Sequence, residues 1–317
     1  MKKSLKGHEI AKDDGVPSVS VGSRSYKTIS QVNFYKKNRP SAGQVNPERL
    51  LPQYVFGYYS GVSERFNGAF EKHEEIYFRK QAVGEEAPLR SLFLAKPHHS
   101  QFALLSFFAS EESSVKEFLS KEFYIEGLAS ILFTLHEPYW KHSPGKQSKS
   151  DDIDNRFWRA GGKVSSFLDS LYQYAFAPMT GKQRKRIAVG QIKNLERRYL
   201  FIPDEISLLK LADGLEPKEF FARLESAIFS DLVSEDGEDV RIKIRLKDVE
   251  NPITFKELSE GEQQLITIIG LMRFAAQDEG LFLLDEPDTH LNPSWCLDYL
   301  KNLRKYGVEP PNSQIIS

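Results

Sequence analysis

The sequence predicts an α/β fold with a parallel sheet, and three consecutive features of residues 258–293 carry this prediction. Ser259 is followed three residues later by Glu262, a capping-box pattern that begins a helix. Residues 281–284 form a short apolar run without alternation, typical of a strand covered on both faces in a parallel sheet. Between these two features, apolar residues recur at helical spacing and indicate one buried face: Leu265, Ile268, Ile269, Met272 and Ala276.

Two adjacent carboxylates, Asp285 and Glu286, follow the predicted strand, and Pro287 ends it. Open α/β sheets bind ligands beyond the carboxyl ends of their strands, so both acids are candidate site residues. Because neighbouring side chains of a strand point to opposite faces, we expect the two acids to have different tasks. One can support a magnesium ion while the other faces a water, which is the arrangement that nucleotide hydrolysis needs.

These residues resemble the motifs of ABC-type ATPases. Leu258 to Gln264, LSEGEQQ, resembles the signature motif, Leu281 to Glu286 resembles the Walker B strand, and Asp288 to Pro293 resembles the D-loop. The sequence DEPDTHLNP is similar to the corresponding segment of the DNA-associated, non-transporter branch, which contains RecF, SMC and OLD-type proteins. Within that branch it is most similar to anti-phage ATPases of the Septu and retron-associated kind.

The resemblance implies a dimer of two heads that meet head to tail around ATP and Mg²⁺. The signature residues Ser259, Gly261 and Gln263 would act in trans, with the helix N-terminus pointing at the γ-phosphate. Asp285 would support Mg²⁺, Glu286 would polarise the attacking water, and Asp288 would span the dimer interface. An ATPase partner in trans could replace the second copy, and a regulated nuclease is the implied effector.

The phosphate-binding loop of that family, G-x-x-x-x-G-K-[ST], does not occur in the sequence. Gly-Lys pairs begin at Gly145, Gly162 and Gly181, but none has the second glycine or the following hydroxyl residue. The family's Thr-His switch after a last apolar strand is also absent, so the sequence resembles an ATPase core truncated at both ends. Three hypotheses remain open: an ATPase component, a non-catalytic interaction module, and a truncated ATPase that cannot bind ATP alone.

Composition limits the other function classes. The 43 basic and 44 acidic residues nearly cancel, which indicates no general attraction for nucleic acid or membranes. A single cysteine, Cys296, excludes an internal disulfide and is typical of a reducing cytoplasm. No apolar run approaches the length of a membrane span, and the lysine-rich N-terminus has no apolar core typical of a secretion signal.

The chain divides into three predicted parts. Residues 1–110 form a β-rich N-terminal part of the ATPase core, residues 111–235 a helical insertion, and residues 236–317 the core with the three motifs. Residues 182–198 contain the one concentrated basic patch, on a helix or hairpin, which either contacts DNA or is a solvated arm. The strict alternation of residues 240–246 predicts a half-buried strand with a basic outer face.

Overall fold

The computed structural model describes residues 19–21, 24–26, 52, 54–60, 68, 70–77, 92–138, 155–161, 163–188, 191–275, 280–291, 293–307 and 314–316. The chain forms two compact units, Met1–Pro52 and Gln53–Ser317. In the first unit, β1 (Val19–Val21) and β2 (Arg24–Tyr26) pair in antiparallel fashion.

Among its described residues, the second unit contains the nine strands β3 to β11 and the seven helices α1 to α7. The strands are β3 (Tyr54–Tyr59), β4 (Leu92–Leu94), β5 (Ile125–His136), β6 (Phe176–Ala188), β7 (Gln191–Ile202), β8 (Val240–Leu246), β9 (Ile253–Thr254), β10 (Gly280–Asp285) and β11 (Gln314–Ile316). The helices are α1 (Pro97–Phe108), α2 (Ser113–Glu122), α3 (Lys163–Tyr174), α4 (Glu205–Leu211), α5 (Pro217–Phe229), α6 (Glu260–Gly270) and α7 (Pro293–Tyr306).

Four strands form the predicted parallel sheet, in the order β11-β10-β3-β4. Gly280, Phe282 and Leu284 of β10 are buried, and Leu281 and Leu283 are half-buried. The Phe282 ring stacks on the ring of Phe56 in β3, with centroids 5.0 Å apart. The apolar run without alternation therefore formed a strand covered on both faces, and the mixed α/β fold with a parallel sheet is confirmed.

The other five strands form an antiparallel sheet in the order β6-β7-β5-β8-β9. The alternation of β8 is confirmed, because Val240, Ile242 and Ile244 are buried whereas the three intervening basic residues are exposed. Strand β9 then leads through a short 3₁₀ turn, Phe255–Glu257, into α6. The last strand of this sheet thus leads directly into the predicted signature helix.

The predicted helical character of residues 111–235 is wrong. The segment contains β5, β6 and β7 as well as helices α2 to α5, and β5 pairs with β8 beyond residue 235. Residues 176–184 of β6 are exposed or half-buried on both faces, so this strand shows no apolar alternation that would identify it in the sequence. The boundaries at 110/111 and 235/236 stay a prediction.

Helix α6 packs very close to α1. A Cβ atom on Gly270 would overlap the Cβ of Ala103 and would lie 3.3 Å from its Cα. The predicted apolar face of α6 is buried, with Leu265, Ile268 and Ile269 at most 2% exposed, and Met272 in the following π-helical turn is also buried. Ala276 lies outside the described residues. Within the described ranges, no helix has the length and apolar character to cross a membrane.

Candidate functional site at the carboxyl edge of the parallel sheet

Asp285 and Glu286 lie at the carboxyl edge of the parallel sheet, as predicted. Asp285 is the last residue of β10 and pairs with Tyr59 of β3, and the Ser60 backbone N–H donates to the Asp285 carbonyl over 3.4 Å. Both acidic side chains are exposed. Glu286 has a φ of 50°, uncommon for a residue other than glycine. The chain therefore leaves the strand at Glu286, and a local turn, rather than the strand pleat, sets the direction of its side chain.

The predicted capping box of the signature helix is present. The Ser259 hydroxyl oxygen accepts from the Glu262 backbone N–H over 3.3 Å, and the Glu262 carboxylate accepts from the Ser259 N–H over 2.6 Å. The Ser259 O–H hydrogen is not used in this box, so it can donate to a ligand. The remaining free N–H groups of the first helical turn make this end of α6 suitable for an anion.

The two glutamines that follow the capping box have different roles. The Gln263 Nε2 donates to the Leu258 carbonyl over 2.8 Å, which leaves the second hydrogen of its amide for another acceptor. Gln264 is buried, and its Nε2 donates to the carbonyl of Pro287, directly after Glu286. Sequence reasoning missed Gln264, because a side chain on the buried face of a helix gave no sign of a partner 23 residues away.

Gly261 brings the start of the signature helix against the D-loop of the same chain. A Cβ atom at this position would lie 3.0 Å from the His290 carbonyl carbon and 3.2 Å from the Leu291 Cα, and closer still to the His290 carbonyl oxygen. The imidazole of His290 also faces the Glu260 carboxylate, with 3.4 Å between Nδ1 and Oε2. The close approach that Gly261 permits is therefore to the backbone of residues 290–291 within the chain.

The D-loop is a compact turn near two tyrosines, the buried Tyr299 and the half-buried Tyr58. Its backbone is closed by the Leu291 N–H, which donates to the Asp288 carbonyl over 3.1 Å, and the Asp288 side chain is exposed. Burial raises the pKa of the Tyr299 phenol, and the nearby Tyr58 and Asp288 raise it further; burial likewise raises the pKa of Tyr58. Both phenols are therefore neutral at physiological pH, and Tyr299 adds no negative charge near Asp288. Sequence reasoning did not identify this pair.

The acids of this edge fit a magnesium ion that is shared with a nucleotide. Among the described residues, no three histidine, cysteine or acidic side chains form a cluster that could hold a metal by themselves. Mg²⁺ in nucleotide sites is commonly held by one or two carboxylates together with phosphate oxygens and water. The exposed Asp285 carboxylate can supply such a ligand, and when bound with ATP the ion would neutralise phosphate charge.

The comparisons with known proteins identify the family. A family model described as "AAA domain, putative AbiEii toxin, Type IV TA system" matches residues 141–305, just over half of the chain. The chain belongs to this AAA family. Its α/β fold with a parallel sheet is that of a P-loop NTPase-like domain, and the match indicates a nucleotide-binding, ATPase-type activity. No curated protein and no solved structure matches the chain.

The predicted basic patch at residues 182–198 lies on the β6–β7 hairpin, but two of its arginines are engaged within the chain. Arg197 is buried and donates to the Asp239 carboxylate over 2.8 Å. The Arg198 guanidinium lies 5.0 Å from the centre of the Trp158 ring and 3.6 Å from the Glu196 carboxylate. Inclusion of Arg197 in an exposed patch was therefore wrong. Lys182 and Arg184 are exposed, and the side chains of Lys185, Arg186 and Lys193 lie outside the described residues.

Asp239 is the centre of a largely buried polar network. Besides Arg197, its carboxylate accepts from the Ser234 hydroxyl over 2.6 Å and contacts His136 Nδ1 at 3.1 Å. Burial alone would raise the pKa of Asp239, but these partners outweigh it and hold the pKa well below its usual value. Burial alone would lower the pKa of His136, but hydrogen bonds to Asp231 and Asp239 raise it. The network links the end of β5 and the middle of β7 to the loop that precedes β8.

Proposed function

We propose that the chain is the head of an ABC-type ATPase that binds and hydrolyses ATP with Mg²⁺ as a dimer. The observation that carries the proposal is the direct connection between the signature helix and the segment that follows the two acids. Gly261 packs on the backbone of His290, and Gln264 donates to the carbonyl of Pro287. A phosphate that contacts the helix N-terminus would therefore act on the same rigid unit that positions Glu286.

Each site residue has a proposed role. In cis, Asp285 supports Mg²⁺ and Glu286 takes the proton of the attacking water, for which its exposed carboxylate at the sheet edge is suited. In trans, the N-terminus of α6 contacts the γ-phosphate, with the Ser259 O–H and the second amide hydrogen of Gln263 as donors. Asp288, exposed in the D-loop, lies across the dimer interface.

The proposed biological setting is a DNA-linked or anti-phage defence system in the cytoplasm, in which ATP-driven dimer closure regulates a nuclease partner. Two findings support this setting: the sequence motif DEPDTHLNP, and the matched family description, which names a putative toxin of a toxin–antitoxin system. The exposed Lys182 and Arg184 on the β6–β7 hairpin support contact with a DNA backbone.

A second candidate is a non-catalytic module that completes the site of another ATPase. The absence of G-x-x-x-x-G-K-[ST] from the 317 residues favours it, because this loop normally surrounds the phosphates in cis. Such a module would present its signature helix to a partner's nucleotide and would not need Glu286. The two candidates therefore differ in whether Glu286 contributes to turnover.

Sedimentation velocity with Mg-ATP tests the proposed dimer. In Glu286→Gln the base is lost while the shape is kept, so ATP should stay bound and the protein should sediment as a dimer with Mg-ATP and as a monomer with ADP. Adding Ser259→Arg, which places a bulky side chain at the helix N-terminus, should return the protein to the monomer. Glu250→Gln, an exposed acid in the turn after β8, is the matched control and should behave like the unmodified protein. A Glu286→Gln protein that stays monomeric with Mg-ATP would refute the dimer.

A further inference from the structure

The outer face of the antiparallel sheet carries an aromatic and basic surface that the ATPase site does not use. Cross-strand partners share a face of a sheet, so the register assigns residues to it. Phe176, Phe201, Leu132 and Arg241 are successive partners across β6, β7, β5 and β8, and Met179, Tyr199 and Thr134 form the next row. Ser130 and Lys243 form a row on the other side. We call the surface formed by Phe176, Met179, Tyr199, Phe201, Leu132, Arg241 and Lys243 the outer platform.

The platform exposes large apolar side chains on a sheet whose register shifts between Phe176 and Met179. Phe176 is 69% exposed, Met179 60% and Phe201 36%, whereas Leu200 and Ile202, the chain neighbours of Phe201 that face inward, are at most 1% exposed. One face of the sheet therefore forms the core in the usual way. An adjoining group of exposed aromatic and apolar side chains on the other face is typical of an interaction site.

Two cations adjoin the aromatic rows. Arg241 and Lys243 are exposed. Among the described residues neither is within ion-pair distance of a carboxylate, but Lys243 is close enough to Glu257 to help lower the pKa of that carboxyl. Two other arginines of the same face, Arg245 and Arg197, already have acidic partners. Arg245 lies 3.8 Å from the Glu205 carboxylate, and Arg197 is paired with Asp239. Among the described residues of this face, the available positive charge therefore lies on β8, beside Leu132 and the phenylalanine row.

We infer that the outer platform binds single-stranded DNA. Successive outward residues of a strand are about 7 Å apart and neighbouring strands about 5 Å apart, which suits unstacked bases that lie on Tyr199, Phe201 and Phe176. Arg241 and Lys243 then meet the phosphates. A duplex cannot use this surface in the same way, because its base faces are already stacked on one another.

Two features favour this occupant over the alternatives. Leu132 and Met179 beside the aromatic rings can contact the C5-methyl group of thymine, which the uracil of RNA lacks. A second copy that docked by the same face would bring Arg241 and Lys243 towards the identical charges of its partner. The surface is separate from the carboxyl edge, so DNA binding here requires neither ATP nor Glu286.

Fluorescence anisotropy of the full chain with labelled oligonucleotides tests the inference without nucleotide. Oligothymidylate should bind more tightly than a duplex of the same length or oligouridylate. Phe201→Ala and Tyr199→Ala should each weaken binding about tenfold or more. Arg241→Gln should weaken it and reduce the slope of log K against log salt by about 0.7, the value for one phosphate contact on a single strand.

Matched controls separate the platform from general effects. Tyr124→Ala removes another exposed aromatic, and Lys116→Gln removes an exposed charge on α2; both proteins should bind DNA like the unmodified chain. Equal binding of duplex and single strand with no loss in Phe201→Ala would overturn the inference. So would tighter binding of oligouridylate, the absence of binding, or self-association that Phe201→Ala abolishes, since the last result would make the platform a protein interface.

Discussion

Replacement of Gly261 by Ala tests the contact between the signature helix and the D-loop. The new Cβ would lie 3.0 Å from the His290 carbonyl carbon and 3.2 Å from the Leu291 Cα, whereas carbon atoms in favourable contact are about 3.5–4.0 Å apart. The obstructing atoms belong to the backbone, so no side-chain rotation can relieve the overlap, and the helix and the loop must separate.

The size of the effect follows from two opposing contributions. Overpacking a well-packed site costs about 1–3 kcal/mol, and the better helix propensity of alanine returns up to about 1 kcal/mol. We therefore expect a net loss of about 1–2 kcal/mol in the free energy of unfolding and a melting temperature lower by a few degrees. Because Gly261 contacts the loop that follows Glu286, any ATP turnover should decrease as well.

Urea unfolding followed by circular dichroism measures the change. Gly161→Ala is the matched control, since a Cβ at Gly161 meets no atom within 4 Å, and this protein should be as stable as the original. A Gly261→Ala protein that is as stable as the Gly161→Ala control would show that the helix and the His290 backbone are not in contact.

Two other predictions concern buried polar contacts. Gln264→Ala should lower the free energy of unfolding by about 1–3 kcal/mol in urea, because the Pro287 carbonyl loses its donor; unchanged stability would refute the contact. The Asp239 network should make the free energy of unfolding decrease at both low and high pH. The depressed pKa of Asp239 stabilises the fold above the ordinary value of 3.8, and this contribution is lost as pH falls through the folded pKa. The raised pKa of His136 stabilises the fold fully below its ordinary value of 6.5, and this contribution is lost as pH rises through the folded pKa. Asp239→Asn should cost about 3 kcal/mol, since Arg197 is left buried without its partner, and should flatten both limbs in urea titrations from pH 3 to 9. A pH profile identical to that of the unmodified protein would contradict the network.

Local patterns predicted the elements around the site because short-range physics determines them. The Ser259–Glu262 capping box, the unalternated run of β10 and the alternation of β8 each depend on residues within one helix or strand, and all three are present. The position of Asp285 and Glu286 at the carboxyl edge followed from the parallel sheet alone. These features required no knowledge of distant partners.

Contacts between residues far apart in sequence could not be predicted in this way. Arg197 belonged to a run of basic residues, and only the fold shows that Asp239, 42 positions later, removes it from the exposed patch. No local pattern similarly indicates that Gln264 contacts Pro287 or that Tyr299 lies near Tyr58 and Asp288. The outer platform was also missed, because its rows are formed by the pairing of four separate strands.

Phosphate release from Mg-ATP by the purified chain and by Glu286→Gln tests whether the carboxyl edge hydrolyses ATP. We expect Mg²⁺-dependent release by the unmodified chain and a loss of about 10²–10⁴-fold in Glu286→Gln, the usual contribution of a positioned base, with nucleotide still bound. Equal rates in the two proteins, or no nucleotide binding by the unmodified chain, would contradict the assignment of ATP hydrolysis to this site.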